Sequence, residues 1–228
     1  MTADAVWPWF RSLLRRHARC GGRLVPLALL SMLLATGVLG YGGVAQWCAA
    51  RGRVVWDVST RLDEAVPTWP WTIVVYLSFQ VLFVVAAFSA PRDARGQREL
   101  VLLFQSLFGV GVLSLTLFVA APCEVLGRDA LELHSGAFAG LIALVHRSDP
   151  PWNAWPSLHV SQSLLCALAL ARWRAAHRLW LRVALAALWI AISLSTLTTK
   201  QHYIFDVRTG AWLGWAAWTW YLKRAFEA

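Results

Sequence analysis

Long apolar runs alternate with short polar connections along the chain. Each run has about the 20 residues that a helix needs to cross roughly 30 Å of hydrocarbon. The runs extend over residues 24–47, 71–90, 100–121, 155–173, 179–197 and 206–222. The pattern predicts an all-α, polytopic membrane protein whose single domain, residues 24–222, is a bundle of six transmembrane helices. Residues 1–23 form a basic segment before it, with five Arg residues.

Composition and charge support a membrane protein. Hydrophobic residues make up 58% of the 228 residues and charged residues only 14%, whereas soluble domains carry about 25% charged residues. The net charge of +9 would suggest nucleic-acid binding if the basic residues clustered on one soluble face. They lie between the apolar runs instead, so the expected partner is the lipid bilayer and no nucleic acid.

The distribution of basic residues predicts the orientation in the membrane. With the N-terminus inside, 14 of the 21 Lys and Arg residues fall on the cytoplasmic side and 7 on the other side. Cytoplasmic loops retain Lys and Arg, so both termini and the basic segment are predicted to be cytoplasmic. The compact chain and its excess of Arg over Lys suggest a bacterial inner membrane.

The connection after the third run, residues 128–147, mixes leucines with charged residues and is too short and polar to span. We expect it to form a short helix on the outer surface. The acidic residues in and around it are expected to form a solvated loop face: Glu124, Asp129, Glu132 and Asp149.

Two polar clusters lie at the ends of predicted spans, where polar side chains are costly and suggest a function. The first, Pro156-Ser157-Leu158-His159, opens the fourth span. Proline suits a first helical turn, and the free amides at a helix N-terminus favour an anion. Ser157 would either add a hydroxyl donor to such a site or serve only as a helix cap.

The second cluster lies between the fifth and sixth spans and extends from Ser195 to Asp206. His202 and Asp206 are four residues apart, which places them on one face of a helix. A carboxylate in that position can hold an imidazole in one tautomer and stabilise its cation, as in a Ser-His-Asp triad. Asp206 could also cap the sixth span, and the two roles are compatible.

The count of basic residues places both clusters on the extracytoplasmic face. His, Ser, Lys and Asp side chains that converge at one interface can bind a phosphate, attack it and protonate a leaving group. Typical metal-ion schemes need further carboxylates or a third His nearby, so neither a metal ion nor another cofactor is expected. The four cysteines lack metal-ligand spacing; Cys48 and Cys123 could pair across one membrane face, although the scattered pattern favours free thiols.

The two motifs resemble those of a known family. Pro156-Ser157-Leu158-His159, followed by Ser195, by His202 after six residues and by Asp206 after three more, is similar to the type 2 phosphatidic acid phosphatase superfamily. Leu158, where that superfamily usually has Gly, and the Thr-Lys-Gln-His-Tyr run around His202 look closer to its inositol phosphorylceramide synthase-like branch. The resemblance covers roughly residues 65–222.

The resemblance implies a double displacement. His202 would attack phosphorus and form a phosphohistidine, Asp206 would orient His202, and His159 would protonate the leaving oxygen. Ser157 and Ser195 would contact phosphate oxygens. His159 could then act as a base and activate the water or alcohol that clears the intermediate.

The chain departs from the superfamily in its phosphate-binding cations. The superfamily usually has Arg directly after the Ser of its last motif, and this chain has Thr196. Lys200 is the first candidate to neutralise the phosphate, because a loop conformation would let it turn inward. Arg128, just after the third span, is the candidate to replace the superfamily's first motif. Arg208 would lie about 240° round a helix from His202, so we expect it to reach the headgroups instead.

These residues favour a membrane enzyme that transfers or hydrolyses a phosphoryl group on lipid phosphate or phosphodiester headgroups, with a membrane lipid as substrate. A lipid alcohol as acceptor would make it a headgroup phosphotransferase, which the branch motifs favour, and water would make it a lipid phosphatase. A non-catalytic lipid-binding membrane protein that has lost its Arg residues is the third alternative. The remaining histidines are expected to be structural: His17, His134, His146 and His177.

Overall fold

The computed structural model describes residues 5–17, 24–51, 56–133, 136–149, 151–152 and 154–227. These residues are mostly helical, with one isolated bridge between Trp56 and Cys123 and no strand. The α-helices are α1 (Pro8–His17), α2 (Leu24–Thr36), α3 (Gly42–Arg51), α4 (Arg61–Ala65), α5 (Ile73–Ser89), α6 (Ala94–Ala120), α7 (Arg128–Leu133), α8 (Ala139–Ser148), α9 (Leu158–Arg174), α10 (Leu179–Thr198), α11 (Ile204–Ala216) and α12 (Lys223–Glu227). A π-helical turn joins α2 to α3 (Gly37–Tyr41) and another joins α11 to α12 (Ala217–Leu222).

Within the described residues, four helices are long and apolar enough to cross a membrane: Leu24–Cys48, Pro70–Ser89, Ala94–Ala120 and Leu179–Thr198. They correspond to the first, second, third and fifth predicted spans. The third begins at Ala94 rather than at residue 100 because Asp93 caps it, its carboxylate accepting a hydrogen bond from the Gly96 amide at 2.8 Å. The protein is therefore helical and embedded in a membrane.

The fourth and sixth predicted spans are also helices, but they are less apolar. α9 has 17 residues, about 26 Å of helix, and it buries polar side chains at Ser161, Gln162 and Ser163. α11 continues through its π-helical turn to Leu222. That these two helices cross the bilayer stays a prediction, and so does the count of six spans.

α9 is the centre of the bundle and packs against α5, α6, α10 and α11. Its contact with α11 is close because two glycines face it. A Cβ on Gly210 would lie 2.5 Å from the carbonyl oxygen of Ser157, and a Cβ on Gly214 would lie 2.7 Å from that of Ser161. Small residues let helix backbones approach in this way. The start of α11 therefore lies beside the start of α9, where the Ser157 amide donates to the Asp206 carbonyl oxygen at 3.2 Å.

A polar network ties α6, α9 and α12 together at the opposite end of the bundle. The buried Glu99 carboxylate accepts a hydrogen bond from the Trp173 indole at 2.7 Å and lies 3.3 Å from Arg95 and from Arg172. Both arginines also donate to the carbonyl oxygen of Phe226. The buried carboxylate thus has the charged and hydrogen-bonding partners that a buried polar group requires.

The segment between α6 and α9 forms α7, a short 3-10 turn and α8, rather than one short helix. Leu131, Ile142 and Val145 from this segment are buried against Ile73 and Tyr76, near the start of α5. The segment is thus packed onto the bundle by apolar contacts. Its depth relative to the bilayer stays a prediction.

The described cysteines carry reduced thiols at Cys48, Cys123 and Cys166. No disulfide joins Cys48 to Cys123 in the part of the chain that the structure describes, and the Cys48 Sγ lies 3.6 Å from the carbonyl oxygen of Phe118. Cys20 lies outside the described residues.

Candidate active site

The two histidines singled out by the motifs meet at the end of the bundle where α9 and α11 begin. His159 lies in the first turn of α9, and His202 lies in the loop between α10 and α11. The Nε2 atom of His202 is 3.3 Å from the Nδ1 atom of His159, and the ring centroids are 5.5 Å apart. Only 8% of His159 and 6% of His202 is exposed, so both imidazoles are largely shielded from solvent.

The loop that carries His202 is held by backbone hydrogen bonds. The carbonyl oxygen of Thr196 accepts hydrogen bonds from the amides of Gln201 at 2.9 Å and His202 at 3.1 Å. Lys200 adopts a left-handed conformation with φ of 51°, which non-glycine residues rarely do. The chain therefore turns sharply after α10 and brings the His202 ring back toward α9.

Asp206 lies behind His202 and is completely buried. Its Oδ2 atom accepts a hydrogen bond from the Tyr203 amide at 2.8 Å, which caps α11, and lies 3.6 Å from the Nδ1 atom of His202. The second distance is longer than a hydrogen bond. Neither His202 Nδ1 nor Asp206 Oδ1 has a hydrogen-bond partner, and such contacts often tighten only when substrate binds. The position suits both roles considered for Asp206.

The two serines named by the motifs differ in the hydrogen bonding of their hydroxyl groups. The Ser157 hydroxyl is fully buried at the N-terminus of α9 and has no hydrogen-bond partner. The Ser195 hydroxyl donates to the carbonyl oxygen of Ile192 within its own helix at 2.7 Å. Ser157 is therefore available to an anion bound at the start of α9, whereas the Ser195 hydroxyl is already engaged in the structure.

Arg128 lies beside His202. The two side chains line the same small pocket, together with Tyr41, Asp149 and Gln201. The Nη1 atom of Arg128 donates to the carbonyl oxygen of Asp149 at 2.5 Å, while its Nε atom is buried without a partner. Arg128 thus has an unpaired donor in the pocket that it shares with His202.

Lys200 is not brought into this pocket. Its ammonium donates to the carbonyl oxygens of Asp63 at 3.2 Å and Val66 at 2.7 Å. The Asp63 carboxylate in turn accepts a hydrogen bond from the Ile204 amide at 2.7 Å. The left-handed turn points the Lys200 side chain toward the segment around α4, so the geometry gives it a role in holding the loop and does not support the expected contact with phosphate.

Asp149 corrects an expectation from the sequence. It was expected on a solvated face, but its carboxylate accepts hydrogen bonds from the hydroxyls of Tyr41 at 2.5 Å and Tyr76 at 2.7 Å. Sequence reasoning also missed the two tyrosines. A tyrosine in an apolar span needs a partner for its hydroxyl, but this rule does not identify an aspartate 108 residues from Tyr41 and 73 residues from Tyr76.

The other histidines have varied surroundings. His146 contacts the carboxylate of Glu132 at 2.7 Å and the side-chain nitrogen of Gln201 at 3.2 Å, and His177 is exposed in the turn between α9 and α10. The side chains of His17 and His134 lie outside the described part of the structure. Among the described residues, no group of three or more His, Cys, Asp or Glu side chains is arranged to hold a metal ion.

Comparison with known proteins gives one further finding. A family model described as PAP2 superfamily matches residues 62–220. The matched range contains His159, His202 and Asp206, and it leaves out the first apolar helix, Leu24–Cys48. No curated protein and no solved structure matches the chain significantly.

Proposed function

The chain belongs to the PAP2 superfamily, which makes it a phosphatase or phosphotransferase in general terms, and we propose that it transfers a lipid-borne phosphoryl group through a phosphohistidine on His202. The observation that carries this proposal is the 3.3 Å contact between His202 Nε2 and His159 Nδ1, with Asp206 facing the other ring nitrogen of His202. A nucleophile, a proton donor and an orienting carboxylate are thus adjacent.

The proposed first step forms the phosphoenzyme. Neutral His202, with its Nδ1 proton toward Asp206, attacks phosphorus through Nε2. The N–P bond forms as the P–O bond to the leaving group breaks, and protonated His159 gives its proton to the leaving oxygen. Asp206 stabilises the positive charge that develops on the His202 ring.

The second step regenerates the enzyme. Neutral His159 takes the proton of the acceptor hydroxyl, whose oxygen attacks phosphorus while the N–P bond breaks. Splitting the transfer in this way replaces one difficult displacement by two easier ones. The reacting nitrogen and phosphorus need to lie about 3–3.5 Å apart, so a bound phosphoryl group must separate the two imidazoles.

Three groups would balance the charge on phosphate. Arg128 has an unpaired Nε in the pocket, Ser157 has an unpaired hydroxyl, and the N-terminus of α9 begins beside Ser157. Positioned donors of this kind stabilise the transition state most strongly where water is excluded. We assign the main cationic role to Arg128 in place of Lys200.

Transfer to a lipid alcohol is favoured over hydrolysis, and we place the chain in the inositol phosphorylceramide synthase-like branch. Leu158 and the run around His202 support the branch. The low exposure of both histidines supports transfer, because a site with little access to water protects a reactive intermediate from hydrolysis. We further propose that the site faces the extracytoplasmic side of a bacterial inner membrane, with both termini cytoplasmic.

The test uses purified protein in lipid nanodiscs containing a fluorescent lipid phosphate and EDTA, with and without ceramide or diacylglycerol as acceptor. The wild type should release or transfer phosphate, and His202→Gln and His159→Gln should each abolish turnover while the protein stays folded. His177→Gln, in the exposed turn, is the matched control and should keep full activity.

The outcomes separate the alternatives. A new phospholipid product identifies a transferase, and inorganic phosphate identifies a phosphatase. An acid-labile phosphoenzyme that is absent from His202→Gln supports the covalent step. Equal activity of His202→Gln and wild type would rule out the covalent step, and binding of the lipid without turnover would indicate the non-catalytic alternative.

A further inference from the structure

A carboxylate held by two tyrosines lies beside the catalytic pair. The Asp149 Oδ1 atom accepts a hydrogen bond from Tyr41, and its Oδ2 atom accepts one from Tyr76. The backbone carbonyl of Asp149 accepts a further hydrogen bond from Arg128. Both oxygens of the side chain are thus fixed by donors that come from different helices, which defines the position of the negative charge.

Tyr76 connects this carboxylate to His159. The rings of Tyr76 and His159 are 4.4 Å apart between centroids, and the ring of Phe79 packs on His159 at 4.2 Å. A protonated imidazole between aromatic rings has lost much of its hydration, which disfavours the charged form. It therefore needs a nearby negative charge if it is to carry a proton to a leaving group.

The electrostatics of Asp149 agree with that role. Burial raises the pKa of Asp149, but the positive charges of His159 and Arg128 and the hydrogen bonds from the two tyrosines outweigh burial and hold this pKa below its usual value. Burial and the positive charges of His202 and Arg128 disfavour the protonated form of His159, and Asp149 opposes them. Asp149 supplies the anion among these groups.

Tyr41 reaches this position from the first apolar helix. That helix lies outside residues 62–220, the range that the family model matches. Tyr41 ends the π-helical turn Gly37–Tyr41, and a π-helical turn rotates the side chains that follow it relative to a regular α-helix. The first helix thus adds a residue to the pocket that the matched range does not contain.

We infer that Tyr41 and Tyr76 hold an ionised Asp149 beside His159, and that this charge favours the protonated form of His159 that gives its proton to the leaving oxygen. The inference rests on the proposed function of His159. Asp149 and the two tyrosines are positioning residues in it, since none of them exchanges a proton or a bond with the substrate.

The first measurement does not depend on turnover. Histidines are labelled with ¹³C at Cε1, the protein is placed in nanodiscs, and the rings are titrated by NMR; the His159 signal is assigned by its loss in His159→Gln. Opposite charges within about 4–6 Å shift a titration by roughly 1–3 pH units. Asp149→Asn keeps the shape and removes the charge, so it should lower the midpoint of the His159 titration by about one unit.

Matched variants separate charge from structure. Tyr41→Phe keeps the ring and removes one donor, so it should move the His159 midpoint in the same direction by a smaller amount. Asp57→Asn and Tyr221→Phe make the same chemical changes away from the pocket, at an exposed turn and at the far end of the bundle, and should leave the midpoint unchanged. If Asp149→Asn does not fold, the double variant Tyr41→Phe with Tyr76→Phe provides the same test.

Activity provides the second measurement. Loss of the charge should move the high-pH limb of the activity profile to lower pH, because His159 then loses its proton earlier. An unchanged His159 midpoint in Asp149→Asn, or in the double variant, would overturn the inference. A uniform fall in activity without movement of that limb would show a structural role only. An inactive wild type with a shifted midpoint would refute the proposed function and leave the electrostatic inference standing.

Discussion

Replacing Gly210 by alanine tests whether the close contact between α9 and α11 sets the geometry of the site. A Cβ there would lie 2.5 Å from the carbonyl oxygen of Ser157 and 3.2 Å from its Cβ and nitrogen. The shortest contact is with backbone, which cannot rotate away. α11 must therefore move by about 0.5–0.9 Å to restore a separation of 3.0–3.4 Å.

This movement acts directly on the proposed catalytic residues. α11 begins at Ile204, so its displacement carries Asp206 and, through the preceding loop, His202 away from His159. A misplacement of about 1 Å can cost about 100-fold in rate, and overpacking costs about 1–3 kcal/mol of stability. We expect Gly210→Ala to lose about 100-fold in kcat and to remain folded.

The assay compares kcat on a fluorescent lipid phosphate with thermal unfolding of the same preparations. Gly214→Ala meets the carbonyl oxygen of Ser161 at 2.7 Å, one turn farther from the histidines, and should lose similar stability but less activity. Gly109→Ala places its Cβ in open space and should keep wild-type activity. Activity of Gly210→Ala within about twofold of wild type would refute the argument that helix separation controls the site.

The remaining predictions concern the two cations and the topology. Arg128→Gln should lower kcat/KM for the lipid phosphate by about 10- to 100-fold, because charge-assisted hydrogen bonds are worth about 1.5–3 kcal/mol. A loss of kcat/KM below about threefold would exclude Arg128 as the main phosphate ligand. Lys200→Gln should lower the unfolding temperature, because it loosens the contacts with Asp63 and Val66. It should change kcat/KM less than Arg128→Gln does. A larger loss of kcat/KM in Lys200→Gln than in Arg128→Gln would indicate that Lys200 binds the phosphate. A reporter fused after Ala228 should read cytoplasmic, and an extracytoplasmic signal would contradict the orientation derived from basic residues.

The helices followed from local pattern, but two of the six predicted spans have a different character. Hydropathy indicated α5, α10 and the first apolar helix because each exposes most of its apolar window, and it indicated α6 because that helix is long and apolar although more than half of its window is buried. α9 is surrounded by other helices, so it can bury Ser161 and Gln162 against protein. The central position of α9 in the bundle therefore could not be predicted from hydropathy, because hydropathy depends on the composition of a segment and not on which helices pack around it.

The site was predictable where its residues lie within one motif. His202 and Asp206 are four residues apart, and this spacing indicated that they lie close together, although His202 lies in the loop before α11 and not on the helix as expected. His159 could be paired with His202 through the resemblance to a family. The direction of the Lys200 side chain depended instead on the left-handed backbone conformation of Lys200 itself and on the carbonyl oxygens of Asp63 and Val66. Those carbonyls lie more than 130 positions away, so no local pattern contains them.

The sequence alone determined that this is a helical membrane protein, because backbone in lipid must satisfy its hydrogen bonds within each helix. Its motifs singled out His159 and His202 as the imidazoles predicted to react. Only the tertiary structure decided that Arg128 rather than Lys200 lies beside His202 and that Tyr41 and Tyr76 donate hydrogen bonds to Asp149. Those pairings join separate helices. They depend on how segments that are distant in sequence pack together, which side-chain identity along one segment does not specify.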